Sequence, residues 1–298
     1  MTASTHPLAT ASAPFCPPPL SKMHKPSFAV PAGACDTHAH VIGDGVKYPF
    51  VATRGYTPPP ASEADYIGML DGLGMDRGVL VQVSVHGTDN SLMLETMRKH
   101  PKRLRGVAVS APDVSDAELK AMNEAGVRGL RLNVAIGGGI GFDALEPLAK
   151  RIAPMGWHLQ FLTTAARMAE VAPRLPGLPV DVVIDHMAYV RPDEGGVNDP
   201  AFKAMLKLLE GSRTWIKISG AYRNSSQQSS FTDVDPIARA LIAARPDRLV
   251  WGSDWPHVLF DKPMMPTPST LDILGRWTSD AGVLKRILVD NPAALYQF

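Results

Sequence analysis

Residues 104–134 read LRGVAVSAPDVSDAELKAMNEAGVRGLRLNV and contain one complete strand–helix–strand unit. Residues 104–111 and 126–134 are short runs rich in Val and Leu, which predict buried strands. Residues 115–126 begin at a Ser that can cap a helix and end at a Gly, as helices commonly do. Continuous apolar strands are typical of a parallel sheet that is covered on both faces, so this stretch predicts a βαβ crossover.

The same pattern recurs along the chain from Cys35 onward. Eight strand candidates lie at residues 35–41, 77–84, 104–111, 126–134, 157–164, 179–187, 214–222 and 248–257. Helix candidates lie between them at residues 62–74, 88–100, 115–126, 142–156, 199–211 and 235–247. This alternation predicts an α/β fold, a (β/α)8 TIM barrel forming a single domain over residues 35–298. The alternative is a doubly wound open sheet, but its dinucleotide-binding form is disfavoured because no G-x-G-x-x-G follows the first strand.

The first 34 residues differ from the rest of the chain. They are rich in Pro, Ala and Ser, show no helical or strand period, and lack the apolar run of about 7–15 residues that marks a secretory signal. We expect residues 1–34 to form an extended N-terminal arm on the surface of the domain or a partly disordered tail.

Composition excludes several classes of partner. The chain has 30 Lys and Arg against 29 Asp and Glu, so charge gives no reason to expect a nucleic acid partner. No apolar run reaches the roughly 20 residues of a membrane span. Cys16 and Cys35 are too few for a disulfide framework, which favours a reducing, cytoplasmic location. Barrels of this size commonly associate, so a homo-oligomer is compatible with the sequence.

Ionisable side chains gather where the predicted strands end, and that is where barrel active sites form. The first strand carries His38 and His40, whose imidazoles share one side because side chains alternate along a strand. The sixth strand ends with Asp185 and His186, and the eighth contributes Asp254. Buried ionisable groups are costly unless they are partnered, so these ends predict a shared polar site. By strand alternation we expect Asp185 to point away from it.

Other polar residues lie at the ends of the second, fourth, seventh and eighth strands. Arg131, rather than Arg128, is assigned to the barrel interior, because the two are separated by an odd number of residues. Of the nine histidines, His86 and His257 fall at the rim. The histidines that we expect to have no part in the site are His6, His24, His100 and His158. The Gly-rich stretch at residues 137–141 is interpreted as a flexible rim loop.

Five motifs are informative together. They are DTHAH at 36–40, VQVSVHGTDN at 81–90, GLRLN at 129–133, IDHM at 184–187 and WGSDWPH at 251–257. In these motifs the chain resembles the amidohydrolase superfamily, specifically the family 2 branch that contains 2-pyrone-4,6-dicarboxylate lactonase and sugar lactonases. The first motif is moderately specific for the superfamily, whereas the second and fifth together narrow the resemblance to the lactonase branch.

The resemblance implies a hydrolase that opens the ring of a lactone, in aromatic or sugar-acid catabolism. Asp254 would be the general base that takes a proton from the attacking water. The imidazoles of His38, His40 and His186 would polarise the carbonyl and stabilise the oxyanion. An anionic, carboxylated substrate is expected, since the planar fork of arginine suits a carboxylate. The candidate substrate-binding residues are Arg131, Arg223, Arg191, Asn133, Ser84, His86, Tyr56, Tyr222 and His257.

The resemblance leaves the cofactor open. Many superfamily members hold Zn²⁺, but the fifth strand ends without His, Lys or Glu, and Asn133 is a poor zinc ligand. The lactonase branch works without metal, so no cofactor is favoured. A single divalent metal such as Zn²⁺ on His38, His40 and Asp254, with His186 as a further candidate ligand, stays chemically feasible, because three ligands and a water suffice.

Three other functions fit the same pattern. A lactone isomerase of the galactarolactone type would use the same histidines, with a hydroxyl of the substrate in place of water. A metal-dependent amidohydrolase or decarboxylase is disfavoured by the fifth strand. A barrel that binds a ligand without catalysis would have little use for Asp254 beside three histidines. The sequence does not decide between pyrone, muconolactone and aldarolactone substrates.

Overall fold

The computed structural model describes residues 13–135, 140–211 and 213–298. Eight parallel strands pair in sequence order within this part of the chain. They are β1 (Cys35–Ala39), β2 (Arg77–Val81), β3 (Leu104–Ala108), β4 (Val127–Asn133), β5 (His158–Leu162), β6 (Val182–Ile184), β7 (Thr214–Lys217) and β8 (Leu249–Val250). Residues 137–139 of the predicted rim loop at 137–141 lie outside the described residues.

The first and last strands come together to close the sheet. The backbone N–H of Thr37 donates to the carbonyl of Trp251 over 3.1 Å, and that of His40 donates to Trp255 over 2.8 Å. Eight strands in this order form a nearly closed barrel, which confirms the predicted (β/α)8 fold and excludes the open sheet.

Helices cover the outside of the barrel. They are α1 (Glu63–Leu73), α2 (Ser91–Lys99), α3 (Asp116–Glu124), α4 (Leu145–Ile152), α5 (Ala165–Val171), α6 (Pro200–Gly211), α7 (Ala221–Asn224), α8 (Asp235–Ala244), α9 (Pro268–Trp277), α10 (Ala281–Lys285) and α11 (Asn291–Tyr296). Ser62 and Ser115 start α1 and α3 with capping boxes, so these helices begin where the sequence predicts. Among the described helices, none has the length and apolar character that a membrane span requires.

All eight strands end earlier at their carboxyl ends than predicted, and the difference is largest for β7 and β8. The sequence extended β6 to residue 187, β7 to 222 and β8 to 257, whereas they end at residues 184, 217 and 250. Beyond two of these ends the backbone turns left-handed, with φ of 48° at His186, 62° at Asp254 and 63° at His257. This conformation is uncommon for residues other than glycine and breaks the alternation of a strand. The polar side chains that follow β6 and β8 are therefore presented by turns.

The described part of the N-terminal segment runs along the barrel surface. The backbone N–H of Cys16 donates to the carbonyl of Thr57 over 3.0 Å, and the N–H of Thr57 donates to Pro14 over 2.7 Å. Further along, His24 Nε2 lies 2.7 Å from Asp272 Oδ2. The segment thus connects the β1–α1 loop with α9 on the outside of the barrel.

Candidate active site

Four side chains converge at the carboxyl ends of the strands. Oδ1 of Asp254 lies 3.8 Å from Nε2 of His38, 3.9 Å from Nε2 of His40 and 3.7 Å from Nε2 of His186. All four side chains are buried. Oδ1 has no hydrogen-bond partner among the described residues, so it is directed at the space between the imidazoles. The structure brings together all four residues that the sequence placed at the chemical centre.

The other carboxylate oxygen of Asp254 is firmly held. Oδ2 accepts hydrogen bonds from Nε of Arg223 and from the hydroxyl of Tyr222, each over 2.5 Å. Burial would raise the pKa of Asp254, but the guanidinium of Arg223 holds that pKa well below its ordinary value. Asp254 is therefore a carboxylate at neutral pH, with one oxygen anchored and the other available.

The hydrogen bond of His40 determines where its proton lies. Nδ1 is 2.7 Å from the carbonyl oxygen of Val81, and a carbonyl only accepts, so Nδ1 carries a proton. Burial lowers the pKa of His40 to about 4, so the ring is neutral at pH 7 and Nε2 bears a lone pair. A neutral ring with its proton on Nδ1 offers Nε2 as an acceptor or a ligand, and the role expected for His40 in polarising the substrate carbonyl stays a prediction.

His186 is held by groups on both sides. Its Nδ1 lies 2.9 Å from the hydroxyl oxygen of Ser219, which can donate or accept, so both tautomers of the ring are available. The side-chain amide of Asn224 donates to the backbone carbonyl of His186 over 3.2 Å and fixes the left-handed turn. Burial lowers the pKa of His186 to about 4, which keeps the ring neutral.

Asp185 faces the barrel interior, so the prediction that it points away was wrong. Its side chain is fully buried, and Oδ2 accepts from Nη2 of Arg131 over 3.2 Å and from Nε2 of Gln160 over 3.1 Å. The left-handed backbone that begins at His186 removes the alternation on which the prediction rested. Arg131 lies inside the barrel, on the side that the sequence indicated.

The sequence reasoning missed Lys217, which lies in the barrel interior beneath His38. Its side chain is fully buried, and Nζ donates to the carbonyl of Thr37 over 2.9 Å and to Oε1 of Gln160 over 2.8 Å. Nζ also lies 3.2 Å from Nδ1 of His38 and 3.5 Å from Oδ1 of Asp185. A signal was present, because a lysine within the apolar run TWIKIS is costly to bury without partners.

A small inner cavity opens on the cluster and has a volume of about 20 Å³, room for about one water molecule. It is lined by His40, Tyr56, Ser84, Arg131, Leu162, His186, Tyr189, Arg223, Asp254 and Val258. The hydroxyls of Tyr56 and Ser84 lie 3.0 Å apart in its wall. Of the lining residues, Leu162, Tyr189 and Val258 were not singled out from the sequence.

A larger outer cavity of about 430 Å³ borders the inner one, and Tyr189 and Arg223 line both. Tyr222 and Arg191 also line the outer cavity. The guanidinium of Arg191 is paired with the carboxylate of Asp193, its Nη2 lying 3.0 Å from Oδ2. The structure thus places Arg191 at the approach to the cluster, whereas Tyr222 lies between the outer cavity and Asp254, to which its hydroxyl donates.

Three predicted substrate contacts lie outside the walls of both cavities. Nε2 of His86 accepts a hydrogen bond from the backbone N–H of Gly43 over 3.1 Å, which holds the loop after β1. His257 stands behind Tyr222, with Nδ1 3.3 Å from its hydroxyl. Asn133 ends β4, and its Oδ1 accepts from a backbone amide two residues further on. The structure places these three side chains outside the lining of both cavities, and their contact with a substrate stays a prediction.

The cluster fits one divalent metal ion by distance. The ligand atoms of His38, His40 and Asp254 lie within 4.8 Å of one another, as do those of His38, Asp185 and His186. Nε2 of neutral His40 and Oδ1 of Asp254 are unprotonated, as metal ligands must be. By distance, His38, His40 and Asp254 therefore form a possible site for a metal ion.

A nearly closed (β/α)8 barrel with this polar cluster at the carboxyl ends of its strands defines the protein as a barrel enzyme. The model of the amidohydrolase family matches residues 35–298, and the chain belongs to this family.

Two curated relatives and one solved structure are similar along almost their whole length. The chain is 38% identical to the 2-pyrone-4,6-dicarboxylate hydrolase of Comamonas testosteroni, covering 91% of this chain and 92% of that protein. It is 35% identical to the 4-sulfomuconolactone hydrolase of Hydrogenophaga intermedia, with 95% of each covered. The crystal structure of a probable 2-pyrone-4,6-dicarboxylic acid hydrolase from Acinetobacter baumannii superposes with a TM-score of 0.79 at 28% identity, covering 89% of this chain and 100% of that one.

Proposed function

We propose that the protein hydrolyses the ring ester of an anionic, carboxylated lactone. The observation that carries this proposal is the free Oδ1 of Asp254, which faces the Nε2 atoms of three imidazoles within 3.9 Å. Arg131 and Arg223 line the same inner cavity and supply positive charge for a carboxylate. The two curated relatives support the proposal, because both are named as hydrolases of anionic lactones.

In the first step, water attacks the lactone carbonyl. Asp254 accepts one proton of the water at Oδ1, while the lone pair on His40 Nε2 accepts a hydrogen bond from the second O–H. The water oxygen forms a bond to the carbonyl carbon, and the carbonyl electron pair moves onto its oxygen. The two acceptors hold the water so that its lone pair points at the carbonyl carbon. General-base catalysis of this kind increases the reaction rate about 100- to 10,000-fold.

In the second step, the ring opens. The oxyanion lies against N–H donors, and His186 is such a donor when Ser219 donates to its Nδ1 and leaves the proton on Nε2. The electron pair returns, the ring C–O bond breaks, and the proton held by Asp254 passes to the departing alkoxide. The product is an open-chain hydroxy acid, and the base is restored.

We further propose that catalysis needs no metal ion. If an ion is bound, His38, His40 and Asp254 would hold it, with His186 beside them, and it would polarise the carbonyl and lower the pKa of a bound water. In the two steps above, side chains of the protein bind the reactants and transfer the protons.

The test is hydrolysis of a panel of lactones by the purified protein, with and without a chelator. The panel contains 2-pyrone-4,6-dicarboxylate, muconolactones with carboxylate or sulfonate groups, aldarolactones and neutral aldonolactones. We expect turnover of carboxylated members only, unchanged by chelation, with ¹⁸O from labelled water in the product. If the product is an isomerised lactone without ¹⁸O, the reaction is an isomerisation and not a hydrolysis. Loss of activity on chelation that Zn²⁺ restores would refute metal independence.

A further inference from the structure

The two histidines of β1 are neighbours in the cluster, but their Nδ1 atoms have opposite partners. His40 Nδ1 meets a backbone carbonyl, a pure acceptor, at 2.7 Å. His38 Nδ1 meets the Nζ of Lys217 at 3.2 Å, and an ammonium group can only donate. Identical side chains on one strand are therefore placed in contrasting hydrogen-bond environments.

The ammonium of Lys217 has three protons to place. Two go to the carbonyl of Thr37 and to Oε1 of Gln160, which lie at 2.9 and 2.8 Å. The third has Nδ1 of His38 at 3.2 Å and Oδ1 of Asp185 at 3.5 Å. The nearer acceptor is the imidazole nitrogen. The acceptors around Nζ thus match the three N–H bonds of an ammonium group.

Asp185 is the competing partner of His38. Its Oδ1 lies 3.2 Å from Nδ1, which would suit a proton on Nδ1. Among the described residues, however, no contact of this oxygen has the geometry of a hydrogen bond, whereas the Lys217–His38 contact does. The carboxylate is already satisfied at Oδ2, where Arg131 and Gln160 both donate. The geometry therefore favours Lys217 as the donor to Nδ1.

We propose that Lys217 is a positioning residue that fixes His38 in the tautomer with its proton on Nε2. The two histidines of the His38-x-His40 pair then have different hydrogen-bonding roles. His38 offers an N–H to the centre of the cluster, and His40 offers a lone pair. Given the proposed hydrolysis, His38 would stabilise negative charge on an oxygen atom while His40 orients the water.

This division also affects which species the cluster prefers at its centre. A metal ion needs unprotonated nitrogens, and Nε2 of His38 would first have to lose its proton. An oxygen atom of water or lactone instead gains a donor from the same nitrogen. Lys217 thus biases the cluster towards oxygen and away from a divalent cation.

The first test is the tautomer itself, measured by ¹⁵N NMR of the imidazoles in the chelator-treated, full-length protein. The His38 signals are assigned by their loss in His38→Gln. We expect the protonated nitrogen of His38 to be Nε2 and that of His40 to be Nδ1. A proton on Nδ1 of His38 would overturn the inference, and this measurement needs neither a substrate nor an altered Lys217.

Two variants separate the candidate partners of Nδ1. Lys217→Met removes the donor, so Nδ1 should turn to Asp185 and the proton on Nε2 should be lost. Asp185→Asn is the matched control, because Arg131 and Gln160 donate to the Oδ2 position and should hold the amide oxygen there, so that an NH2 group replaces the competing acceptor Oδ1 while Lys217 stays in place. Its His38 should keep the proton on Nε2. A tautomer that changes in Asp185→Asn but not in Lys217→Met would assign the role to Asp185.

Metal affinity and kinetics provide a second readout on the same variants. Co²⁺, followed by its visible absorption, should bind Lys217→Met about 10-fold or more tightly than the unaltered protein. If lactone turnover is found, kcat should fall about 100-fold in Lys217→Met with little change in KM, since one oxyanion donor is lost. Unchanged Co²⁺ affinity would contradict the inference. If no lactone is hydrolysed but the tautomers are as stated, the proposed function fails and the role of Lys217 stands.

Discussion

Nε of Arg223 lies 2.5 Å from Oδ2 of Asp254, so the candidate base is bound to a residue that the sequence assigned to the substrate carboxylate. Nη2 of the same guanidinium donates to the carbonyl of Val258 over 2.9 Å, which fixes its plane. Arg223 borders both cavities as well. One side chain therefore anchors the candidate base and also lines the cavity through which we propose that an anionic substrate enters.

Replacement of the candidate base is the most direct test of the mechanism. Asp254→Asn keeps the shape of the side chain but cannot accept a proton from water. We expect kcat to fall about 100- to 10,000-fold, with substrate binding close to normal. Steady-state kinetics and calorimetric binding of the substrate measure the two effects. Asp143→Asn, at an exposed position, is the control, and undiminished turnover in Asp254→Asn would refute the assignment.

The arginines should differ in their kinetic effects. Arg223→Met should raise KM for a carboxylated lactone and also lower kcat, because Asp254 loses its anchor. Arg131→Met should act mainly on KM. We expect kcat/KM to fall roughly 10- to 100-fold for each variant, because that factor corresponds to the free energy of one hydrogen bond to a charged group. Arg191→Met is the comparison and should have the smallest effect, since Arg191 lines the outer cavity and not the inner one. If all three variants kept normal kinetics, the arginines would lie outside the substrate contacts.

Stability should fall as the solution becomes acidic. Burial lowers the pKa of His40, His186 and His257 to about 4, against about 6.5 in an unfolded chain. Unfolding therefore takes up protons below pH 6.5, and the stability present above that pH is lost as the pH falls towards 4. Urea unfolding between pH 4 and 7 measures this. His257→Gln should reduce the slope of unfolding free energy by roughly 1 kcal/mol per pH unit; an unchanged slope would contradict the prediction.

The close approach of β8 to β1 should tolerate no added side-chain atom. A Cβ at Gly252 would lie 2.5 Å from Cβ of His38 and 2.6 Å from its backbone nitrogen. Gly252→Ala should lower the free energy of unfolding by about 1–3 kcal/mol and disturb His38 as well. Gly68→Ala is the control, since a Cβ there meets nothing within 4 Å and removes a helical glycine from α1. Equal stability of the two variants in urea would show that the barrel adjusts at this point.

The barrel was predictable from sequence because its signals are local and repeated. Each buried strand is an apolar run, and caps such as Ser62 and Ser115 mark where the helices begin. The four central residues were found because His38 and His40 share a strand and because barrel sites form at one end of the sheet. These rules act within a few residues of each position, so a single sequence displays them.

The features that the sequence did not predict depend on backbone turns and on contacts between residues far apart in the chain. The left-handed turn that begins at His186 allows Asp185 and His186, although adjacent in sequence, both to face the site, and strand alternation cannot predict such a turn. Lys217 meets partners from β1 and β5, which lie far away along the chain. The contact of His38 with Lys217, and that of His40 with the carbonyl of Val81, determine which nitrogen of each ring carries the proton. The sequence pattern therefore predicts which side chains lie in the site, whereas the packing of strands distant in sequence determines their protonation and hydrogen bonding.

The small inner cavity affects how substrate enters. Ordinary ligand pockets measure about 300–1,000 Å³, whereas this one, at about 20 Å³, accommodates the nucleophile but not the ring. Arg223 and Tyr189 line both cavities and so separate the inner one from the outer one. If the protein takes up a lactone as proposed, these side chains have to move to admit the ring, and we expect that rearrangement to slow association below the diffusion limit.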